Sequence, residues 1–468
     1  MPACLFTLRV PVVLSLGLIG CAQFVSPSGS PVVLPADWKN AAAFPVATPS
    51  RDLSRWWGRF GDPTLTKLIG TALSNSPDVN SAISRVRQAR AQRESTVSGF
   101  FPTLSGSTGS SASSVLRNNA ADSASVSYSA GLNASWEVDL FGKRRTSLLA
   151  ADADVNSATE NLHTVQSSLA SEIALAYLDL RSSEARLRVV KDSLKSREET
   201  YQLVTWSHKA GQIDELDLRQ AQTSVEQARA AIPSLEQSAG QARNRLTLLA
   251  GLTPGAFDGM LNANGRDIPT PPTELAVGIP ADTVRQRPDV RSAGYQWVAA
   301  VQRTRAAKLE RLPSLNLSGS LGINERTVGK LFNPQNVTSG IVAGLTGPIF
   351  DAGRIRANVE IQSAAEEQAL LAYSSAVLQA LSDVEDALIA CHRSGERIVS
   401  LEKATIAARE SARLAGLKYR AGVVDFLTLL DAQRTELSSE ESLISARADR
   451  SSAYVQLYKA LGGGWAAR

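Results

Sequence analysis

Between Gly142 and Gly211 the chain runs for 68 residues, Lys143 to Ala210, without a glycine or a proline. No other feature narrows the possible folds as much. A continuous helix here would be roughly 100 Å long at 1.5 Å per residue. Its apolar positions Ile173, Tyr177, Leu180, Leu187, Val190 and Leu194 follow steps of three, four and seven, the seam of a coiled coil. The pattern then recurs. Between Gly353 and Gly422 lie another 68 residues without proline and with only Gly395 and Gly416, and Val384, Leu388, Cys391, Ile398 and Leu401 repeat the register. Such helices are several times longer than a compact domain is wide, so length is no guide to domain number.

The recurrence is a duplication with one offset, 211 positions: Pro77-Asp78-Val79 returns as Pro288-Asp289-Val290, Pro102 as Pro313, Gly142-Lys143 as Gly353-Arg354, Ala221-Gln222 as Ala432-Gln433, and Gly251 as Gly462. A constant offset over so long a span implies two copies of one structural unit. The first repeat is 61–251 and the second 281–462, with a proline-rich, non-helical connector at 252–280 and a tail at 463–468. Each repeat predicts a helix, a β-hairpin (103–138 and 314–349) and a long helical hairpin (142–250 and 353–461). After Gly211 or Gly422 a return helix should run from Gln212 to Ala250 and from Val423 to Leu461, antiparallel to the first. Pro233 should kink the former, whereas its counterpart Ile444 should not kink the latter.

Residues 1–20 carry Arg9 as their only charge, followed by an apolar run too short to span a bilayer, and read as a signal peptide. They end Leu18-Ile19-Gly20-Cys21, which resembles the bacterial lipobox, with Cys21 the lipidated residue; an ordinary signal peptide with a chance cysteine is the alternative. Residues 21–60 look like a spacer from that anchor to the fold, closing on Trp56-Trp57-Gly58-Arg59-Phe60, tryptophans suited to packing. Asp62 then caps a helix that has Pro63 at its first position.

Function classes fall away by composition. The 49 basic and 45 acidic residues nearly balance to a net charge of +4, with no basic block for nucleic acid. The three cysteines are too scattered for a metal site, and Cys391 sits in a heptad seam position that suits buried packing. His163, His208 and His392 are far apart, and no phosphate-binding glycine loop occurs. Neither a catalytic constellation nor a cofactor site is expected, so the chain reads as no enzyme.

The hairpin regions are rich in Ser, Thr, Gly, Val and Leu in partial alternation, with Arg117-Asn118-Asn119 at the tip of the first. Such strands suit an outer-membrane barrel wall, and a soluble sheet would read similarly. Four strands per chain cannot close a barrel, and unpaired backbone is intolerable in lipid. If the sheet is a barrel wall, several copies must assemble; eight strands would be filled by side chains, so three or four copies are favoured.

Together the lipobox, Trp56 to Pro63, the turn Trp136 to Lys143, its partner Gly347 to Arg354, and the segments Lys418 to Val423 and Leu430 to Arg434 resemble the outer-membrane-factor family of tripartite efflux pumps. The match is to its TolC and OprM type, in the NodT lipoprotein branch. The resemblance implies a mixed α and β membrane protein: a homotrimer whose twelve-stranded outer-membrane barrel continues into a long periplasmic α-helical barrel. It also implies a passive conduit served by a periplasmic adaptor and an inner-membrane pump of the RND type. A type I secretion exit duct and a non-channel periplasmic scaffold are the competing readings; the scaffold leaves the two matched hairpins without explanation.

Two sites are expected. The hinges Ala210-Gly211-Gln212 and Ala421-Gly422-Val423 form tips that meet the adaptor, glycine permitting the reversal. Beyond the second hinge, steps of three and four put Leu427, Thr428 and Asp431 near one face. The resemblance implies that Asp431 lines the narrow periplasmic end, that Leu427 forms an apolar ring beside it, and that Thr428 stands where a second carboxylate would be. Arg434, one turn on, should offset repulsion among copies of Asp431.

Overall fold

The computed structural model describes residues 32–40, 53–117, 120–263, 267–272, 280–331 and 333–465. Cys21, the signal peptide and the hairpin-tip residues Asn118 and Asn119 lie outside the described residues. The first repeat comprises α1 (Pro63–Asn75), α2 (Pro77–Ser98), β1 (Thr103–Arg117), β2 (Ala120–Val138), α3 (Lys143–Lys209) and α4 (Glu215–Leu249). After α5 (Asp258–Ala263) and α6 (Pro280–Gln286), the second repeat follows as α7 (Pro288–Leu309), β3 (Ser314–Glu325), β4 (Thr338–Thr346), α8 (Arg354–Arg420) and α9 (Phe426–Ala460). The bounds of α2 and α7, α3 and α8, and α4 and α9 differ by the same offset at both ends, so the repeat in sequence is a repeat in backbone.

Local chemistry sets those bounds. Asp62 accepts from the N–H groups of Thr64 and Leu65 at 2.7 and 3.0 Å, capping α1 with Pro63 in its first turn. Each long helix ends at a glycine in the left-handed region, Gly211 at φ 72° and Gly422 at φ 69°, whose following N–H reaches back into the last turn. The return helices are 35 residues and begin later than expected, at Glu215 and Phe426, because Asp214 and Asp425 cap them three residues beyond the glycines. α4 continues through Pro233.

Three expectations need correction. The connector is not wholly non-helical: α5 falls between Pro254 and Pro269, where no proline intervenes, and Phe257 and Leu261 anchor it in the core. The segment 32–40 is not merely a spacer. Trp38 is buried, Val32 and Leu34 pack beside Val377 and Ala380 of α8, and Glu385 accepts from the Lys39 N–H at 2.7 Å and from Asn40 Nδ2. β4 ends at Thr346 rather than at residue 349, since Pro348 has no N–H to extend a ladder.

The main core lies where α1, α3, α4, α8 and α9 meet. Trp56 is 1% exposed and stacks on Tyr458 at 5.6 Å, so the tryptophan cluster is packing, as its sequence suggested. Cys391 is buried in this core, and burial pushes its thiol up to about 12, which keeps it protonated near neutral pH. Tyr177 donates to Asp62 Oδ2 at 2.8 Å, tying the cap of α1 to the middle of α3. The fully buried Arg181 pairs with Glu184 at 2.7 Å, and Arg243 of α4 binds the other oxygen of the same carboxylate. The charge is thus matched where it is desolvated.

Candidate functional site

The four strands form one antiparallel meander in the order β1-β2-β3-β4. The register separates its faces. Leu104 opposes Ala134, which opposes Gly319 and then Ile341; Val138, Leu315 and Leu345 form another row, and Trp136, Leu317 and Ala343 a third, all on one side. The other side carries Ser105, Asn133, Ser320 and Gly340 in one row and Thr103, Ser135, Ser318 and the apolar Val342 in the next. Its hydroxyls pair across strands, Thr103 with Ser135 at 2.8 Å and Ser111 with Ser127 at 2.8 Å. Alternation with period two therefore yields one apolar and one hydroxyl-rich face. Among the described residues, β1 and β4 each have a ladder partner on one side only.

At the far end, the two helical hairpins meet. Val204 of α3, Ala221 of α4, and Phe426 and Leu430 of α9 form a small buried cluster, with Tyr419 of α8 packed against it. The expected tip residues Ala210, Gly211, Gln212, Ala421, Gly422 and Val423 are all exposed at the two hinges. Around them stand large apolar side chains that sequence spacing did not single out: Trp206 is 65% exposed and Leu216 is 61% exposed. Only their position five residues to either side of Gly211 could have drawn attention to them.

The expected gate residues share an exposed face of α9. Leu427 is 50% exposed, and Thr428, Asp431 and Arg434 are exposed as well, while Phe426, Leu429 and Leu430 face inward. Arg434 Nη1 lies 4.0 Å from Asp431 Oδ1. The Thr428 hydroxyl, by contrast, is committed: it donates to Asp425 Oδ1, which also accepts the Thr428 N–H at 2.9 Å. These two bonds hold Asp425 below the usual carboxylate range. Asp217 of α4 moves the other way, raised first by burial and then by the charges of Asp214 and Asp425. Acidic groups of both hairpins thus crowd the tip. No group of three or more His, Cys, Asp or Glu suited to a metal occurs among the described residues. Nor is any described helix long and apolar enough to cross a membrane, which has no bearing on a β-barrel.

The family model described as outer membrane efflux protein matches this chain twice, over residues 68–252 and 279–463, two spans separated by the duplication offset. The pyoverdine export outer membrane protein OpmQ of Pseudomonas aeruginosa is 31% identical over 453 residues, covering 95% of this chain and 94% of the relative. Nodulation protein T of Rhizobium leguminosarum bv. trifolii is 32% identical over 473 residues, covering 98% of each chain. The solved structure of the outer-membrane channel OprN superposes with a TM-score of 0.87 at 31% identity, over 93% of this chain and 98% of that one.

Proposed function

The chain belongs to the outer membrane efflux protein family, and from that premise we propose how its parts work as the outer-membrane channel of an efflux pump, a passive conduit for small molecules. The observation that carries the reading is the sheet register. One face of leucine, isoleucine and valine suits lipid, and one face of serine, threonine and asparagine suits a water-filled lumen. The two single-sided edges, β1 and β4, cannot stay open in a bilayer. Three copies close them into a twelve-stranded barrel wide enough to leave a channel. The long hairpins continue that barrel into the periplasm as a tunnel.

At its lower end Asp431, Leu427 and Thr428 of each copy face the constriction. Three Asp431 carboxylates favour cations and repel anions, Leu427 supplies the apolar ring, Thr428 stabilises the helix start, and Arg434 tempers the repulsion. The hinges at Ala210, Gly211 and Gln212 and at Ala421, Gly422 and Val423, flanked by Trp206 and Leu216, are the surface for a periplasmic adaptor that links the channel to an inner-membrane pump, of the RND type. Cys21, lipidated, tethers each copy to the membrane without entering the channel.

Extraction from the outer-membrane fraction should yield a heat-modifiable trimer that conducts in planar bilayers, and a soluble, non-conducting monomer would overturn the reading. A separate measurement addresses the tips. A Cβ at Gly211 or Gly422 meets nothing within 4 Å in its own chain. Gly422→Leu should therefore clash with nothing, strain only the local left-handed turn and leave trimers intact while weakening cross-linking to the adaptor, and unchanged cross-linking would defeat the contact assignment.

A further inference from the structure

Where strands give way to long helices, the surface changes character twice within a few residues. First comes an apolar collar: Phe101 is 64% exposed, Leu140 54%, Phe141 48%, Ile349 102% and Phe350 89%. It directly adjoins the strand ends that carry Leu104 and Leu345, themselves 72% and 66% exposed. Directly after it, both long helices open on cations. α3 starts Lys143-Arg144-Arg145 and α8 starts Arg354-Ile355-Arg356, and neither has an acidic residue in its first turn.

That arrangement runs against the helix macrodipole, which favours anions at an N-terminus. The backbone amides there are already served from outside the helix. Asp139 accepts from the N–H groups of Arg144 and Arg145, and Asp351 from those of Gly353 and Ile355. Two of the cations are also occupied, Arg144 with Glu137 at 2.7 Å and Lys143 near Glu310 at 3.8 Å. Arg145, Arg356 and, just beyond α7, Arg311 are exposed and form no ion pair among the described residues, and Arg354 is exposed with the capping Asp351 as the charge acting beside it. Exposed cations that recur at the same place in both repeats, beyond what the capping aspartates require, point to a partner outside the chain.

We propose that this collar docks on anionic phospholipid at the periplasmic face of the outer membrane, the aromatic and aliphatic side chains entering the lipid and the four arginines binding headgroup phosphates. The inference rests on the reading that the sheet is an outer-membrane barrel. Charge complementarity and continuity with the apolar wall select the occupant. A guanidinium presents parallel donors to two phosphate oxygens, and juxtamembrane cations gain from an anionic surface.

The test compares incorporation of detergent-purified protein into vesicles of phosphatidylethanolamine alone or mixed with phosphatidylglycerol. The natural protein should incorporate roughly tenfold better into the anionic vesicles, a modest effect for several surface cations. The variant R145Q/R311Q/R354Q/R356Q should incorporate equally into both, and the matching set of lysine substitutions should keep most of the preference. No preference in the natural protein, or an undiminished one in the glutamine variant, overturns the proposal. Should the glutamine variant fail to assemble, the natural protein in rising salt decides: the preference should vanish near 1 M, where the screening length is about 3 Å, and a salt-insensitive preference overturns it. Conductance of the natural protein in planar bilayers is read in parallel, so that failure of the channel reading and failure of the lipid contact are separate results.

Discussion

α3 and α8 have the same length and equivalent ends, yet their surroundings differ. α3 is packed by α2, α4, α7 and α9, whereas α8 is packed mainly by α7 and α9. Four equivalent positions show the consequence. Ala150, Glu160, Ser167 and Leu178 of α3 are at most 5% exposed, while their counterparts Ile361, Leu371, Leu378 and Ile389 of α8 are 63%, 61%, 55% and 45% exposed. The sheet repeats the asymmetry: β2 pairs with β3 inside the chain, and β4 has no second partner there. A duplicated chain satisfies one repeat-to-repeat junction by itself. The equivalent junction, from second repeat to first, is left for the next copy, and large aliphatic side chains are stationed at it.

The largest effect should come from breaking that second junction. Each of these aliphatics contributes about 1.5–3 kcal/mol when buried, so Leu378→Asp with Ile389→Asp should abolish the trimer while the protomer still folds, as read by size exclusion in detergent. The offset partner of Ile389 sharpens the contrast, because Leu178→Asp should unfold the protomer itself. A trimer of undiminished heat resistance in the first variant would remove α8 from the junction.

Next comes the tip. Inside the chain Val204 meets Phe426 and Leu430, but the offset counterparts of these three are Ala415, Glu215 and Arg219, a small residue and a charged pair. Phe426→Ala should cost about 3 kcal/mol by leaving a cavity, and should raise hydrogen exchange in α9 together with single-channel conductance. Arg219→Ala, at the polar counterpart, should cost less than about 1 kcal/mol, as exposed ion pairs do. Equal costs would mean that the two tip junctions do not differ as the side chains suggest.

At the proposed constriction the effects should be smaller. Asp431→Ala with Leu427→Ala should raise conductance a few-fold, and Asp431→Ala alone should weaken block by multivalent cations while leaving assembly intact. If both remain at natural values, the gate lies elsewhere. The smallest effect is one of pH, and it has opposite signs in the two hairpins. Asp425, held low by its bonds to Thr428, contributes stability above the ordinary carboxylate range that is lost as pH falls through its lowered value. Asp217, raised by burial and by its acidic neighbours, contributes below that range and loses its contribution as pH rises through its raised value. Asp217→Asn should therefore slow hydrogen exchange at the start of α4 near neutral pH and change nothing in strong acid.

Much of this frame was legible in the residues. Glycine-free runs, a constant offset and the Asp62-Pro63 cap placed the helices almost to the residue, because each rests on local backbone chemistry. The later start of the return helices was also written locally, in Asp214 and Asp425, but the glycines before them are the stronger breaker and drew the boundary toward themselves. Period-two alternation announced the strands without telling a barrel from a soluble sheet, since the decisive fact is which residues stand opposite each other across four strands. At the proposed gate, spacing found the exposed face of α9, while the commitment of the Thr428 hydroxyl to Asp425 depends on a side-chain rotamer that spacing does not encode. The docking of 32–40 escaped for a similar reason: Trp38 and Glu385 lie far apart in the chain and meet only in the fold. The asymmetry between α3 and α8 was the least visible, because equal sequences of elements say nothing about which copy supplies the neighbour.

The glycine that opens each long helix and the glycine that closes it are equally far apart in the two repeats, Gly142 to Gly211 and Gly353 to Gly422, and all four adopt the same left-handed backbone. Each hairpin is therefore a ruler of one length, measured from the membrane collar. Set side by side in a ring, such rulers end on a level rim instead of a staircase. A ring-shaped partner pressed against such a rim would load every hairpin alike.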